Sequence, residues 1–329
     1  MTDKTIRWGM IGTGNVTELK SAPSFNKIEN SRLVAVGNRS YKKAEDYAAR
    51  HQVPVVHKDP FEVIQNPEVD IVYIATPPGS HMEYALESIN AGKPVYIEKP
   101  MARTARECRI INEAAEKTGV PVFVAYYRRG LDYFKKVRSI IENGTLGKIL
   151  YINLQQYYPA RDEDYDRNKL PWRVIPEDAG GGYFHDLGCH ALDILFHIFG
   201  DPLKVCGLTG NIGGLYEPED SLSASLVLPG ELLINGSWNF VTAPAFKRDL
   251  VEVFGEKGML SFGIFSFKPI ILNTGDHKET IATIQPEHIQ LPLITTIVNE
   301  LNGQGKCPST GRTAEITSEV MDAIRGITN

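Results

Sequence analysis

Two stretches of this 329-residue sequence carry side chains whose types and spacing could do chemistry. The first is Gly12-Thr13-Gly14-Asn15-Val16-Thr17, placed where an apolar strand candidate, Ile6 to Ile11, gives way to a helix. Gly12 permits a tight turn, and Gly14 lets the backbone approach a pyrophosphate. The free N-H groups of the helix start at Asn15 and Val16, with the helix dipole, favour that anion. This is the chemistry of dinucleotide binding. Thr17 stands at the third fingerprint position instead of Gly or Ala, so the match is incomplete, and a tight turn without a ligand is the alternative. The end of the second strand selects between cofactors, because an Asp or Glu there grips the ribose 2'-hydroxyl and repels a 2'-phosphate. The sequence has Gly37-Asn38-Arg39-Ser40 and no acid. Arg39 can give phosphate a bidentate, charge-assisted contact, with Ser40 and Asn38 adding donors. NADP is therefore preferred. NAD stays open if Arg39 is a solvated cation lying on the adenine.

The second stretch is Gly180-Gly181-Gly182-Tyr183-Phe184-His185-Asp186-Leu187-Gly188-Cys189-His190. Asp186 and His190 are four residues apart, so on a helix they share one face. Glu98-Lys99-Pro100 follows the strand candidate Val95 to Ile97, and Ala75-Thr76-Pro77-Pro78 ends the one before it. Both lie at the carboxyl edge of a parallel sheet, where ligands bind in such architectures. Pro77-Pro78 and Lys99-Pro100 are the two places for a cis bond. His81 either caps the helix after Thr76-Pro77 or lines a nicotinamide pocket. Arg128, in Tyr126-Tyr127-Arg128-Arg129, is a candidate for cofactor contact, and Arg129 for a structural ion pair. His190, Asp193 and His197 form a helical stripe that suits a divalent ion geometrically. Hydride transfer needs no metal, and His197 lies toward the apolar end Ile194-Leu195-Phe196, so no metal is expected.

The elements that must hold these residues alternate in the first third of the chain. Strand candidates at Ile6 to Ile11, Leu33 to Val36, Ile71 to Ala75, Val95 to Ile97 and Val122 to Ala125 are separated by amphipathic helices. The helices include Tyr41 to His51, His81 to Ala91 and Thr104 to Thr118. Short apolar strands spaced by helices predict a doubly wound parallel sheet, a Rossmann domain over residues 1–127. From 128 to 329 the pattern predicts a second α/β domain with a large, predominantly antiparallel open sheet. A helix at Leu131 to Asn143 leads to a long strand, Lys148 to Tyr158, then a charged loop from Arg161 to Asp178 and a helical run from Gly182 to Phe199. Strands follow at Ser221 to Leu228, Glu231 to Phe240, Asp249 to Phe254 and Met259 to Phe262, with helices at Pro286 to Leu301 and Thr313 to Ile327.

Composition bounds the rest. A net charge of -5 offers no electrostatic pull toward nucleic acid or anionic lipid. The N-terminus runs from a short polar tag into the first strand, without a signal-peptide pattern, and no apolar run approaches ~18 residues. The four cysteines, Cys108, Cys189, Cys206 and Cys307, form no CxxC pair, as expected of reduced thiols in a cytoplasm.

With these motifs in place, the sequence resembles the Gfo/Idh/MocA oxidoreductases along its whole length. The resemblance rests on Gly12 and Gly14, Glu98-Lys99-Pro100, the Gly-rich DxxxH run ending at His190, Trp172-Arg173 and Cys307-Pro308-Ser309-Thr310-Gly311. It implies a Rossmann domain followed by a domain whose open sheet carries a homodimer or homotetramer interface. It also implies Lys99 beside the nicotinamide, hydrogen-bonded to the reacting oxygen, and His190 as general acid/base. Asp186 would orient His190 or a substrate hydroxyl. Trp172-Arg173 resembles a loop that clamps the cofactor in sugar-active members, with a surface anchor as the alternative. Taken alone, Lys99 could be an ion-pair partner of Glu98 and His190 a core histidine; the surrounding motifs argue otherwise. The sequence departs from the family at Tyr127, where an Asn is common, which bears on the substrate pocket. The implied activity is hydride transfer between NAD(P) and a sugar-like carbonyl or alcohol, as in 1,5-anhydro-D-fructose reduction or aldose oxidation. A non-catalytic dinucleotide-binding regulator and an NAD-dependent glycoside-cleaving enzyme are the alternatives.

Overall fold

In the computed structural model, residues 4–275 and 277–327 are described; the polar start and the outer limits of the expected domains, 1 and 329, lie outside them. Six strands form one fully parallel sheet: β1 (Ile6–Ile11), β2 (Ser31–Gly37), β3 (Val55–His57), β4 (Ile71–Ile74), β5 (Val95–Ile97) and β6 (Val122–Val124). Their order is β3-β2-β1-β4-β5-β6, the doubly wound arrangement whose switch point lies between β1 and β4. The strands are nearly continuous apolar runs because helices cover both faces. The helices are α1 (Asn15–Leu19), α2 (Ala22–Phe25), α3 (Tyr41–His51), α4 (Pro60–Gln65), α5 (His81–Asn90) and α6 (Ala105–Thr118). α6 begins where Thr104 accepts a bond from the Glu107 amide, and it ends at Gly119 in the left-handed conformation. β3 was not expected from the sequence: it is three residues long and sits at the sheet edge, too short for a periodic signal. α1 and α2 replace the single helix that the GxG turn suggests, with Pro23 opening the second.

The next elements are α7 (Asp132–Glu142), β7 (Ile149–Tyr157), α8 (Pro176–Ala179), α9 (Cys189–Phe199) and seven strands. These are β8 (Lys204–Gly210), β9 (Ser221–Leu228), β10 (Leu232–Asn239), β11 (Arg248–Gly255), β12 (Gly258–Phe262), β13 (Ile270–Thr274) and β14 (His277–Ile281). They make an eight-stranded sheet in the order β14-β13-β12-β11-β7-β10-β9-β8. Every pairing is antiparallel except β7 with β10. Alternation is clean, with Ile152, Leu154 and Gln156 buried on β7 and Tyr151, Asn153 and Gln155 on its other face. α9 is buried from Cys189 through Phe196, as a helix apolar on all sides must be.

The chain then returns through α10 (Leu291–Leu301) and α11 (Gly311–Arg325). Two compact units result: residues 1–131 with 286–315, and 132–285 with 316–329. The sequence split after residue 127 does not include this return. The segment carries no Rossmann signature; what ties it to the first unit is tertiary bonding. Ser309 Oγ donates to Val124 O at 2.7 Å, Thr310 bridges Phe123, and Asn112 Nδ2 on α6 donates to Glu315 Oε2 at 2.6 Å. α10 also starts five residues later than the expected Pro286; just before it, the Gln290 amide donates to Lys20 O, directly after α1.

At the amino end of the parallel sheet, Asp70 accepts from the Arg7 amide and Nε, both at 2.9 Å, and from Lys4 Nζ at 2.8 Å. Partial burial pushes this carboxyl up, but the bonds from Arg7 and Lys4 outweigh it and hold it at about 2. A depressed carboxyl contributes stability above its unfolded pKa and loses it as pH falls toward the folded value. Asp70→Asn should cost about 1–2 kcal/mol at pH 7 after solvent screening. In urea titrations the gap to wild type should close between pH 4 and 2; a gap independent of pH would refute the assignment.

Candidate active site

In the first unit, the carboxyl ends of β1, β2, β4 and β5 carry most of the predicted cofactor residues; Arg128 follows β6, and Trp172 and Arg173 lie in the second unit. Gly12 has φ +100, and a Cβ there would stand 2.6 Å from Ala75 O, so only glycine fits between β1 and the end of β4. Gly14 precedes α1, and a Cβ on it would meet no atom within 4 Å. This opening above the helix start suits the close approach of a pyrophosphate. Thr17 takes the third glycine's place without strain. It is fully buried, its Oγ1 donates to Gly14 O at 2.8 Å, and its carbonyl accepts from Tyr47 Oη of α3.

Asn38 Nδ2 donates to Thr13 Oγ1 at 2.8 Å, and its Oδ1 accepts from the Ser40 amide at 2.8 Å. Asn38 thus ties the GxG turn to the end of β2, which leaves Arg39 and Ser40 as the outward groups. Both are exposed, and Arg39 makes no hydrogen bond or ion pair among the described residues. Thr76 Oγ1 accepts from Ser80 Oγ at 2.8 Å, and Pro77 leads into the turn before α5.

His81 is fully buried, with Nε2 2.7 Å from Thr76 O and Nδ1 3.1 Å from Pro100 O. Burial pushes the imidazole down and the facing carbonyls oppose that. Its ring joins the turn after β4 to the turn after β5, with both nitrogens facing protein carbonyls. The Lys99-Pro100 bond is cis. Glu98 is buried and its carboxylate is held within the same unit. Oε1 accepts from Tyr73 Oη and from Gln290 Nε2, both at 2.7 Å, and Oε2 accepts from the Lys99 amide at 3.2 Å. Lys99 itself is half-buried. Arg128 follows β6, buried, with its guanidinium 4.9 Å from the Tyr127 ring centre, and Arg129 Nη1 donates to Pro308 O at 2.9 Å.

In the second unit, Phe184 to Gly188 form a π-helical turn directly before α9. Such wide turns recur at functional sites, and this one changes the simple four-residue spacing argument, since Asp186 lies in the π turn and His190 in the α-helix. The Phe184 ring fills the place a Cβ on Gly188 would take and packs edge-on against Trp238 of β10. His190 is buried, with its ring 5.5 Å from that of Phe265. Asp186 pairs with Arg173 Nε at 3.2 Å, and the Arg173 guanidinium lies 4.6 Å from the Trp172 ring centre. Trp172 and Arg173 therefore join the Asp186 turn. Arg325 of α11 braces the glycine run: it donates to Gly180 O at 3.0 Å and pairs with Glu219 at 2.7 Å.

The Gly12–Gly14 turn thus lies at the switch point of the 3-2-1-4-5-6 sheet and the Glu98-Lys99-Pro100 turn follows β5, while Asp186 and His190 lie in the π turn and α9 of the second unit. Residues 6–126 match the model of an oxidoreductase family with an NAD-binding Rossmann fold, and 134–261 match the GFO/IDH/MocA C-terminal domain. The chain belongs to the Gfo/Idh/MocA oxidoreductases. As a member it is an NAD(P)-binding oxidoreductase. It is 34% identical to Oxidoreductase P35 of Formosa agariphila, over 98% of this chain and 99% of that one. It is 28% identical to trans-1,2-dihydrobenzene-1,2-diol dehydrogenase of Mus musculus, covering 83% of this chain and 79% of the relative. Aldose-aldose oxidoreductase from Caulobacter crescentus, solved with glycerol, shares the Gfo/Idh/MocA fold with a TM-score of 0.87. That match is 22% identical and covers 98% of this chain and 97% of that chain.

Sequence reasoning missed Tyr73, Tyr96 and Gln290, which surround Glu98, and Arg325 with Glu219. The signal for the tyrosines was present: two phenols in otherwise apolar buried strands need partners. Gln290 and Arg325 had no local signal, because their partners lie far away in sequence. No helix among the described residues is long and apolar enough to cross a membrane. Among those residues no group of three or more His, Cys, Asp and Glu could hold a metal.

Proposed function

We propose that the chain catalyses hydride transfer between NADP, preferred over NAD, and a carbonyl or secondary alcohol of a sugar-like or polyol substrate. The nicotinamide supplies or takes up the hydride when bound. Lys99 donates a hydrogen bond to the reacting oxygen and lessens the charge that develops there. His190 gives that oxygen its proton in reduction and removes it in oxidation. Asp186, paired with Arg173, orients His190 or accepts from a neighbouring substrate hydroxyl. The named substrates of the relatives, an aldose and a 1,2-diol, favour a compound with hydroxyls on adjacent carbons. The outer face of the eight-stranded sheet, with Leu233 and Phe254 exposed beside Tyr151, serves a homodimer or homotetramer. The chain's four cysteines suit a reducing cytoplasm, where they remain thiols.

The observation that carries the cofactor preference is Arg39, exposed and without a carboxylate partner among the described residues, at a strand end that lacks an acid. Arg39→Ala should weaken NADPH binding about 10- to 100-fold, as expected for a charge-assisted contact, and leave NADH within twofold. Titration of the intrinsic Trp fluorescence reads both constants. Equal losses for the two cofactors would sink the 2'-phosphate assignment.

A further inference from the structure

We infer that Gln290 is a positioning residue for Lys99, acting through the buried carboxylate of Glu98; this rests on the reading of Lys99 as the group that meets the reacting oxygen. Tyr96 Oη donates to Gln290 Oε1 at 2.6 Å, which fixes the orientation of the amide and turns Nε2 toward Glu98 Oε1. Tyr73 Oη donates to the same oxygen, and Ser21 Oγ lies 2.8 Å behind it. Burial and the Glu98 charge push both phenols well above their ordinary range, so they remain donors. One carboxylate oxygen is thereby saturated by two donors, and the other is directed at the Lys99 amide.

The same segment caps the cofactor helix. The Gln290 amide donates to Lys20 O at 3.1 Å, and His288 Nδ1 donates to Leu19 O at 2.8 Å, so both take up carbonyls at the carboxyl end of α1. Residue 290 thus joins the EKP turn by its side chain to the pyrophosphate-facing helix by its backbone. A buried carboxylate stripped of one donor must move to find another or take up a proton. Either response releases the backbone at Lys99.

The test separates the side-chain bond from the backbone cap, which every substitution at 290 retains. Gln290→Met should lower kcat about tenfold with NADPH affinity within threefold of wild type. Hydrogen exchange at the Lys99 amide should quicken by about tenfold, and exchange in β1 should not change. Gln290→Glu faces Glu98 with a second carboxyl at hydrogen-bond distance, and such a pair shares one proton. Its activity should therefore be low at pH 8 and recover as pH falls, a rescue that a merely structural residue would not show. Tyr96→Phe, which leaves the Glu98 contact in place but unlocks the amide, should fall between wild type and Gln290→Met. Unchanged Lys99 exchange in Gln290→Met, or a Gln290→Glu pH profile parallel to wild type, overturns the inference. If Lys99→Ala keeps wild-type turnover, the reading of Lys99 itself has failed, and the exchange measurement still reports on Gln290.

Discussion

His190→Asn is expected to lower kcat by about 10²- to 10⁴-fold, the range for a removed general acid/base, with NADPH affinity unchanged. His190 is buried with its ring edge-on to that of Phe265, on α9, the helix that follows the π turn. An asparagine keeps the size and polarity of the side chain and removes its ability to exchange a proton near neutral pH. The pH dependence of kcat should lose one limb along with the rate. Steady-state rates with NADPH and a panel of keto-sugars, together with cofactor titrations, decide it. A variant within threefold of wild type would move the proton to another group, and a variant that no longer binds NADPH would make His190 a structural residue.

Gly12→Ala and Gly14→Ala should fail in different ways. At Gly12 the new methyl meets the Ala75 carbonyl, which is backbone and cannot swing aside, at a φ that disfavours any side chain. The expected cost is roughly 2–6 kcal/mol, from overpacking and backbone strain together, and much of the stability of an ordinary domain lies in that range. At Gly14 the methyl enters open space, so urea stability should stay within about 0.5 kcal/mol while dinucleotide affinity falls by more than tenfold. Wild-type affinity in Gly14→Ala would mean that the turn is only a turn.

What was legible in the sequence follows from how far each signal reaches. β1, β4, β5 and β6 are compact apolar runs ended by Gly, Pro or a charged motif, and each was placed within a residue or two. The EKP and DxxxH runs are local and carry their own context. Residues 286–290 read as the start of a helix because Pro286, Leu291 and Leu293 suit one. The Gln290 amide and the His288 ring instead bond to Lys20 O and Leu19 O at the end of α1, carbonyls that no local pattern announces. The parallel pairing of β7 with β10 is likewise invisible in strand alternation, which is the same for either direction. The π turn at Phe184 to Gly188 differs from an α-turn by one residue of hydrogen-bond reach, below what side-chain periodicity can resolve.

The late return of residues 286–315 to the first unit has a consequence during synthesis. The ribosome completes residue 131 and then makes roughly 150 more before this segment exists, on the order of ten to thirty seconds at ordinary elongation rates. Through that interval the nascent Rossmann sheet lacks the Ser309 and Thr310 bonds along β6, and Glu98 lacks Gln290. An open strand edge beside a half-satisfied buried carboxylate is a natural client for a chaperone. Ribosome-bound chains halted shortly after residue 131 should therefore be cut by protease in the β5 to β6 region, and chains released at full length should resist.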